Sequence, residues 1–142
     1  MIVVDTNVFV RYLVGAVVPA DEPLVVEART LFASAATGNE QFTTNEAVIA
    51  EVLYVLTSSR LYQFSRRDVG ERFGTILEST GCRLPHKERV LDALDLWMER
   101  PRLSFVDALT VLQSMAGNDR LATFDEAMAT FPGIRRWRAD PV

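Results

Sequence analysis

The first strand-like stretch, Ile2-Val3-Val4, is β-branched throughout and offers no polar position for a wet face. A run of that kind suits a strand buried on both faces, as in a parallel sheet. Asp5 follows at once, and Val8, Phe9, Val10, Tyr12 and Leu13 then suit a short helix. A carboxylate at the carboxyl end of a buried parallel strand stands where open α/β sheets bind ligands.

The alternation continues along the chain. A proline-containing loop runs from Gly15 to Pro23, after which Leu24, Ala28, Leu31, Phe32 and Ala35 recur at helical spacing. Gln41 to Thr44 suits a short strand, and Thr44 or Asn45 can cap a helix carrying Val48, Ile49, Val52, Leu53, Val55 and Leu56. Ser65 and Asp68 have the capping-box spacing ahead of Val69, Phe73, Ile76 and Leu77, with Gly81 as the stop. Cys82 to Leu84 is a weak strand, followed by a helical stripe of Val90, Leu91, Leu94, Trp97 and Met98. Ser104 opens a helix through Val106, Leu109, Leu112 and Met115. Arg120 to Thr123 reads as a strand, Asp125 begins a short helix, and Gly133-Ile134-Arg135 makes a last strand.

Short strands alternating with helices imply βαβ units and a parallel sheet covered on both faces. The expected fold is a three-layer α/β/α sandwich with a central, mainly parallel sheet of four to five short strands. With 142 residues and no linker or repeat, a single domain over 1–142 is expected.

The 49% hydrophobic and 24% charged content is that of a soluble globular protein. No apolar run approaches the roughly 20 residues that cross a bilayer, and residues 1–20 lack a secretory pattern. The lone Cys82 cannot form an internal disulfide, which fits a reducing cytoplasm, and a cytoplasmic protein with no membrane partner is expected. A catalytic thiol would have only His86 as an imidazole partner, and Gly81-Cys82-Arg83-Leu84 reads better as buried strand. The net charge of −4 argues against gripping duplex nucleic acid by bulk positive charge. It leaves room for an enzyme whose clustered acids hold a metal while arginines hold phosphates. The 14 Arg against one Lys suit bidentate phosphate contacts, although a high-GC coding bias explains them better.

Asp5, Asp107 and Asp125 each have an ordinary structural explanation. Asp5 and Asp125 can be helix N-caps, and Ser104-Phe-Val-Asp107 fits a capping box. Glu51 resists such an explanation, because it lies beyond the first turn of its helix at the margin of the apolar stripe. A carboxylate pressed on a core face is costly unless paired. Glu46, by contrast, falls in the first turn and suits the helix dipole. Several acids converging without Lys or Arg among them call for a cation. An all-oxygen set suits Mg²⁺ or Mn²⁺ rather than zinc.

Taken in order, Ile2-Val-Val-Asp5-Thr6-Asn7, Glu51-Val-Leu-Tyr-Val-Leu56, Ser104-Phe-Val-Asp107-Ala108 and Leu121-Ala-Thr123-Phe124-Asp125 resemble the PIN-domain ribonucleases. The resemblance is to the VapC-like toxins of type II toxin–antitoxin pairs, and it covers nearly the whole chain. It implies Mg²⁺-dependent endonucleolytic cleavage of RNA, with Asp5, Glu51, Asp107 and Asp125 as the acidic quartet. Asp5, Asp107 and Asp125 would ligate the ion, with Glu51 ligating directly or through water. Thr6, Asn7 and Thr123 would support them, the two threonines by orienting carboxylates. The resemblance also implies a cognate antitoxin and a homodimer. Stripes around Leu31-Phe32 and Leu53-Leu56 can serve as an interface or as core. Arg11 and the Arg135-Arg136-Trp137-Arg138 tail are candidate contacts for RNA, with Trp137 as a stacking surface or a core residue.

Two rivals belong to other classes. An aspartate-nucleophile phosphatase also begins with a strand ending in Asp, but Asn7 stands where a second Asp is needed and Lys87 is the only lysine. A non-catalytic RNA- or partner-binding domain would use its acids as caps, which leaves Glu51 unexplained.

Overall fold

A computed structural model describes residues 1–141. Its elements run β1 (Ile2–Val3), α1 (Thr6–Val14), α2 (Glu22–Ala36), β2 (Phe42–Thr43), α3 (Glu46–Thr57), α4 (Arg66–Glu78), α5 (Lys87–Glu99), α6 (Phe105–Ala116), β3 (Arg120–Leu121), α7 (Glu126–Ala129) and β4 (Arg135–Arg136). The class is α/β, as expected, and both strand pairs are parallel. The chain divides into two compact units, Met1–Leu91 and Asp92–Val142.

In the first unit β1 pairs with β2, and Phe42 of β2 makes one further parallel bridge to Cys82. Around this small sheet the core is aromatic at its centre. Phe9 of α1 stacks on Phe32 at 5.4 Å and meets Phe42 and Phe73 edge-on at 6.2 and 5.0 Å. Offset and edge-to-face pairs add attraction beyond their buried area. Phe9, Phe42 and Phe73 are fully buried, and Ile49, Val52, Leu53 and Leu56 of α3 and Leu77 of α4 close the core around them. Gly81 is required by close approach. A Cβ there would collide with the carbonyls of Glu40 and Ala35, while the Gly81 N–H donates to Ala35 O at 2.8 Å. Its role is therefore to admit the Cys82 bridge beside β2; α4 has already ended at Glu78.

In the second unit β3 pairs with β4, and the Trp137 N–H donates to Leu121 O at 2.9 Å to extend that pairing. Leu103, Val111, Leu121 and Met128 form its core, flanked by Leu96, Ala127, Phe131 and Ile134. Among the described residues no helix is long and apolar enough to cross a membrane.

Several local expectations change. The β1 strand is not buried on both faces: Val4 is 2% exposed, but Ile2 and Val3 are 37% and 75% exposed. They border a groove in the first unit that nothing in that unit fills. The loop after α1 ends early, because a turn of 3-10 helix over Pro19–Asp21 leads straight into α2. Pro23 then lies in the first turn of α2, where its missing N–H costs nothing. Phe32, Leu53 and Leu56, candidate interface residues, are core, whereas Leu31 borders the groove.

Candidate functional site

Asp5 and Glu51 belong to the first unit, Asp107 and Asp125 to the second. Asp5 sits at the N-cap position of α1 with extended backbone, yet its side chain makes no capping hydrogen bond. It is exposed, and no ion pair among the described residues involves it. The capping explanation that competed with a functional one therefore fails for this residue. The backbone that carries it is firmly anchored. Val4 N–H donates to Thr43 O at 2.9 Å, and the buried Thr44 hydroxyl donates to Val4 O at 2.9 Å. Thr44 thus braces the end of β1, and Asn45 is the α3 cap, accepting from Val48 N–H at 3.0 Å.

The buried Thr6, in the first turn of α1, donates its hydroxyl to Glu51 Oε2 at 2.7 Å. Glu51 is exposed rather than pressed against the core, so the desolvation argument for it does not hold. Its special feature is the short bond from a residue forty-five positions away. That contact fixes one carboxylate oxygen and leaves Oε1 open. Asn7 is exposed and borders the first-unit groove.

Asp107 does serve the capping box. Its Oδ2 accepts from Ser104 N–H at 3.0 Å, and its own N–H donates to Ser104 Oγ at 3.0 Å. Asp125 caps α7, with Oδ1 accepting from Met128 N–H at 3.1 Å. In each case the second carboxylate oxygen is not taken up by the cap. The Thr123 hydroxyl accepts from the Asp125 backbone N–H at 3.1 Å and contacts Met128 Sδ at 3.8 Å. It therefore holds the Asp125 turn rather than a carboxylate. None of the four acids is paired with Lys or Arg among the described residues. Among the described residues no three His, Cys, Asp or Glu side chains are gathered to hold an ion.

The basic candidates divide. Arg11 is paired with Asp21 at 2.9 Å. Asp21 is held below its usual range of about 3.8, first by the backbone N–H of Val18 and then that of Val17, with the Arg11 charge adding to them. Arg136 donates to Thr123 O at 3.1 Å and to Glu126 at 3.4 Å, so it ties β4 to the α7 turn. Arg135 donates to Asn118. Arg138 is exposed. Trp137 is 45% exposed and so is not a core residue. Cys82 is buried, and that burial pushes its thiol up, against the smaller opposing effect of Lys87. A thiol held in its protonated form is a poor nucleophile.

Sequence reasoning passed over Phe124, which is 100% exposed between Thr123 and Asp125. An aromatic residue standing alone between a strand and a polar helix cap was the available signal.

A PIN domain family model matches residues 2–134. The chain is also similar to VapC ribonuclease Mb1869c of Mycobacterium bovis and to Ribonuclease VapC13 of Mycobacterium tuberculosis. Each is 33% identical over 140 residues, covering 96% of this chain and 98% of the relative. All four acids fall inside the matched span, and the chain belongs to the PIN-domain family.

Proposed function

We propose that the chain is a Mg²⁺-dependent endoribonuclease, the toxin of a toxin–antitoxin pair, acting in the cytoplasm as a homodimer. The two units are parts of one PIN domain, a three-layer sandwich over a sheet of four to five strands. Similarity to relatives named VapC ribonuclease supports the reaction class. The observation that carries the site assignment is Thr6 holding Glu51, beside an Asp5 that has no capping role.

The residues fit a hard cation. All four are carboxylates, none is neutralised by a neighbouring Lys or Arg among the described residues, and oxygen donors of this kind suit Mg²⁺ or Mn²⁺. Asp5, Asp107 and Asp125 would hold the ion, with Glu51 joining directly or through water. When bound, such an ion supplies neutralisation of the scissile phosphate and acidification of an attacking water. Thr6 keeps Glu51 in one orientation, so that Oε1 faces its task without rotamer loss at the moment of reaction. Ser104 and the α7 N–H groups do the same for Asp107 and Asp125, each using one carboxylate oxygen. Glu51 or Asp125 accepts the proton released by the attacking water. Arg138 meets the RNA, as do Arg11, Arg135 and Arg136 where their present partners give way.

The antitoxin covers the first-unit groove of about 860 Å³, bordered by Ile2, Val3, Leu24 and Leu31. Exposed aliphatic residues on a strand and a helix suit an apolar partner segment. Exposed Tyr54, Leu61 and Phe64 are available to the homodimer.

The test is cleavage of an unstructured RNA in Mg²⁺ by the parent and by Glu51→Gln and Glu46→Gln. Glu51→Gln loses most of its activity and Glu46→Gln keeps most of it. Equal losses would undo the assignment of Glu51.

A further inference from the structure

Phe124 and Trp137 line one cleft of about 460 Å³ within the second unit, together with Arg136 and Arg138. Both aromatics stand in water, Phe124 entirely and Trp137 at 45%. Phe124 immediately precedes Asp125, and Thr123, also in the lining, holds the Asp125 backbone. The lining contains two arginines and no acid. Arg136 is engaged with Thr123 O and Glu126, whereas Arg138 is exposed. An opening of this volume lies within the range of pockets that accept small flat groups. Two aromatic faces with cations and no anions complement a nucleobase carrying its phosphate.

We propose that Phe124 and Trp137 form a stacking site for one unpaired base of the RNA, with Arg138 meeting the adjoining phosphate. The proposal rests on the ribonuclease reading and names the side chains that hold one base of the RNA substrate. Bases paired in a duplex keep their faces covered by stacking and cannot enter. Because Phe124 adjoins Asp125, a base held there brings its strand beside one of the four acids. The two aromatics are specificity-determining residues, and they take no part in the bond-breaking step.

The experiment is a titration of the full chain in EDTA, so that nothing is cut, with a labelled short oligouridine and with an RNA duplex of equal length. The parent binds the single strand more tightly than the duplex. Trp137 emission falls on binding, a signal made readable by there being only two Trp, with Trp97 buried. Phe124→Ala and Trp137→Ala each weaken single-strand binding roughly 5- to 150-fold, the range expected for losing one base–aromatic stack. Phe124→Trp restores it. Thermal unfolding of Phe124→Ala matches the parent, since a fully exposed side chain holds no core together. Binding of both alanine variants equal to the parent's, or equal affinity for duplex, overturns the proposal. So does loss of antitoxin binding with oligouridine binding unchanged, which would assign the cleft to the protein partner. Failure of the ribonuclease reading is seen separately: cleavage that ignores Asp5→Asn leaves these binding results standing. Normal cleavage with unchanged oligouridine binding in the alanine variants removes only the base site.

Discussion

Asp5 occupies a helix N-cap without capping the helix, and Glu51 accepts a hydrogen bond from Thr6 of another helix. Both carboxylates are placed by the fold, and neither is paired with Lys or Arg among the described residues. Replacing Thr6 by Val removes the hydroxyl that holds Glu51 while keeping the side chain's volume. Cleavage and Mg²⁺ affinity fall roughly 10- to 100-fold, as for loss of an outer hydrogen bond to a metal ligand. Thr6→Ser retains both, and calorimetric Mg²⁺ titration of the two variants checks this. The motif around Asp5 was legible because its residues are adjacent. The reason for Glu51 was not, since the Thr6 contact joins residues far apart in sequence and a helical stripe does not show which exposed edge meets a neighbour. Cys82 is legible as buried, and its burial has a consequence. The folded thiol keeps its proton more tightly than the unfolded chain does, with the ordinary value at 9.0. This contribution to stability is complete below that pH and is lost as the pH rises through it toward the raised folded value. Urea unfolding midpoints between pH 8 and 10 therefore fall less steeply in Cys82→Ala than in the parent. Equal slopes would show that the thiol contributes nothing.

Among the elements, α6 shows how one acid can serve two ends. Its capping box ties Asp107 Oδ2 to the Ser104 N–H, an arrangement the Ser-x-x-Asp spacing made predictable. Ser104→Ala removes the hydroxyl that accepts from the Asp107 N–H, at a cost of about 0.5–2 kcal/mol of stability. It leaves most of the cleavage activity. Asp107→Asn keeps an oxygen for the Ser104 N–H and stays near parental stability, but cleavage is abolished. Chemical denaturation and RNA cleavage on the two variants separate capping from catalysis, and parallel changes in both would merge them. Helices were the most readable elements because caps and 3.6-residue periodicity mark them locally. Strands were the least readable. Each is two residues long, and β1 exposes the very residues whose apolar character suggested burial on both faces. Hydrophobicity alone does not separate a strand buried within its own chain from one that borders an open groove. The last strand, expected over Gly133-Ile134-Arg135, lies at Arg135–Arg136, where β4 pairs with β3, and Arg136, a candidate RNA contact, donates to Thr123 O ahead of α7.

For the whole molecule, Asp5 and Glu51 lie in one compact unit and Asp107 and Asp125 in the other, so the proposed function would need both halves of the chain. Among the described residues no three His, Cys, Asp or Glu side chains are gathered to hold an ion, and truncation to either unit is expected to abolish cleavage. The family match from 2 to 134 runs through both units, in keeping with that dependence. The four motifs were recognisable in order along the sequence. The open first-unit groove and the exposed Phe124 were not, because both depend on what the folded chain leaves uncovered. Cleavage of one unstructured RNA by the parent in Mg²⁺, by the parent in excess EDTA, and by Asp5→Asn in Mg²⁺ tests the acidic metal site most directly. Cutting is expected in the first reaction alone, with restoration when Mg²⁺ is returned to the second. Cutting by Asp5→Asn at the parental rate, or cutting that EDTA leaves untouched, would contradict it.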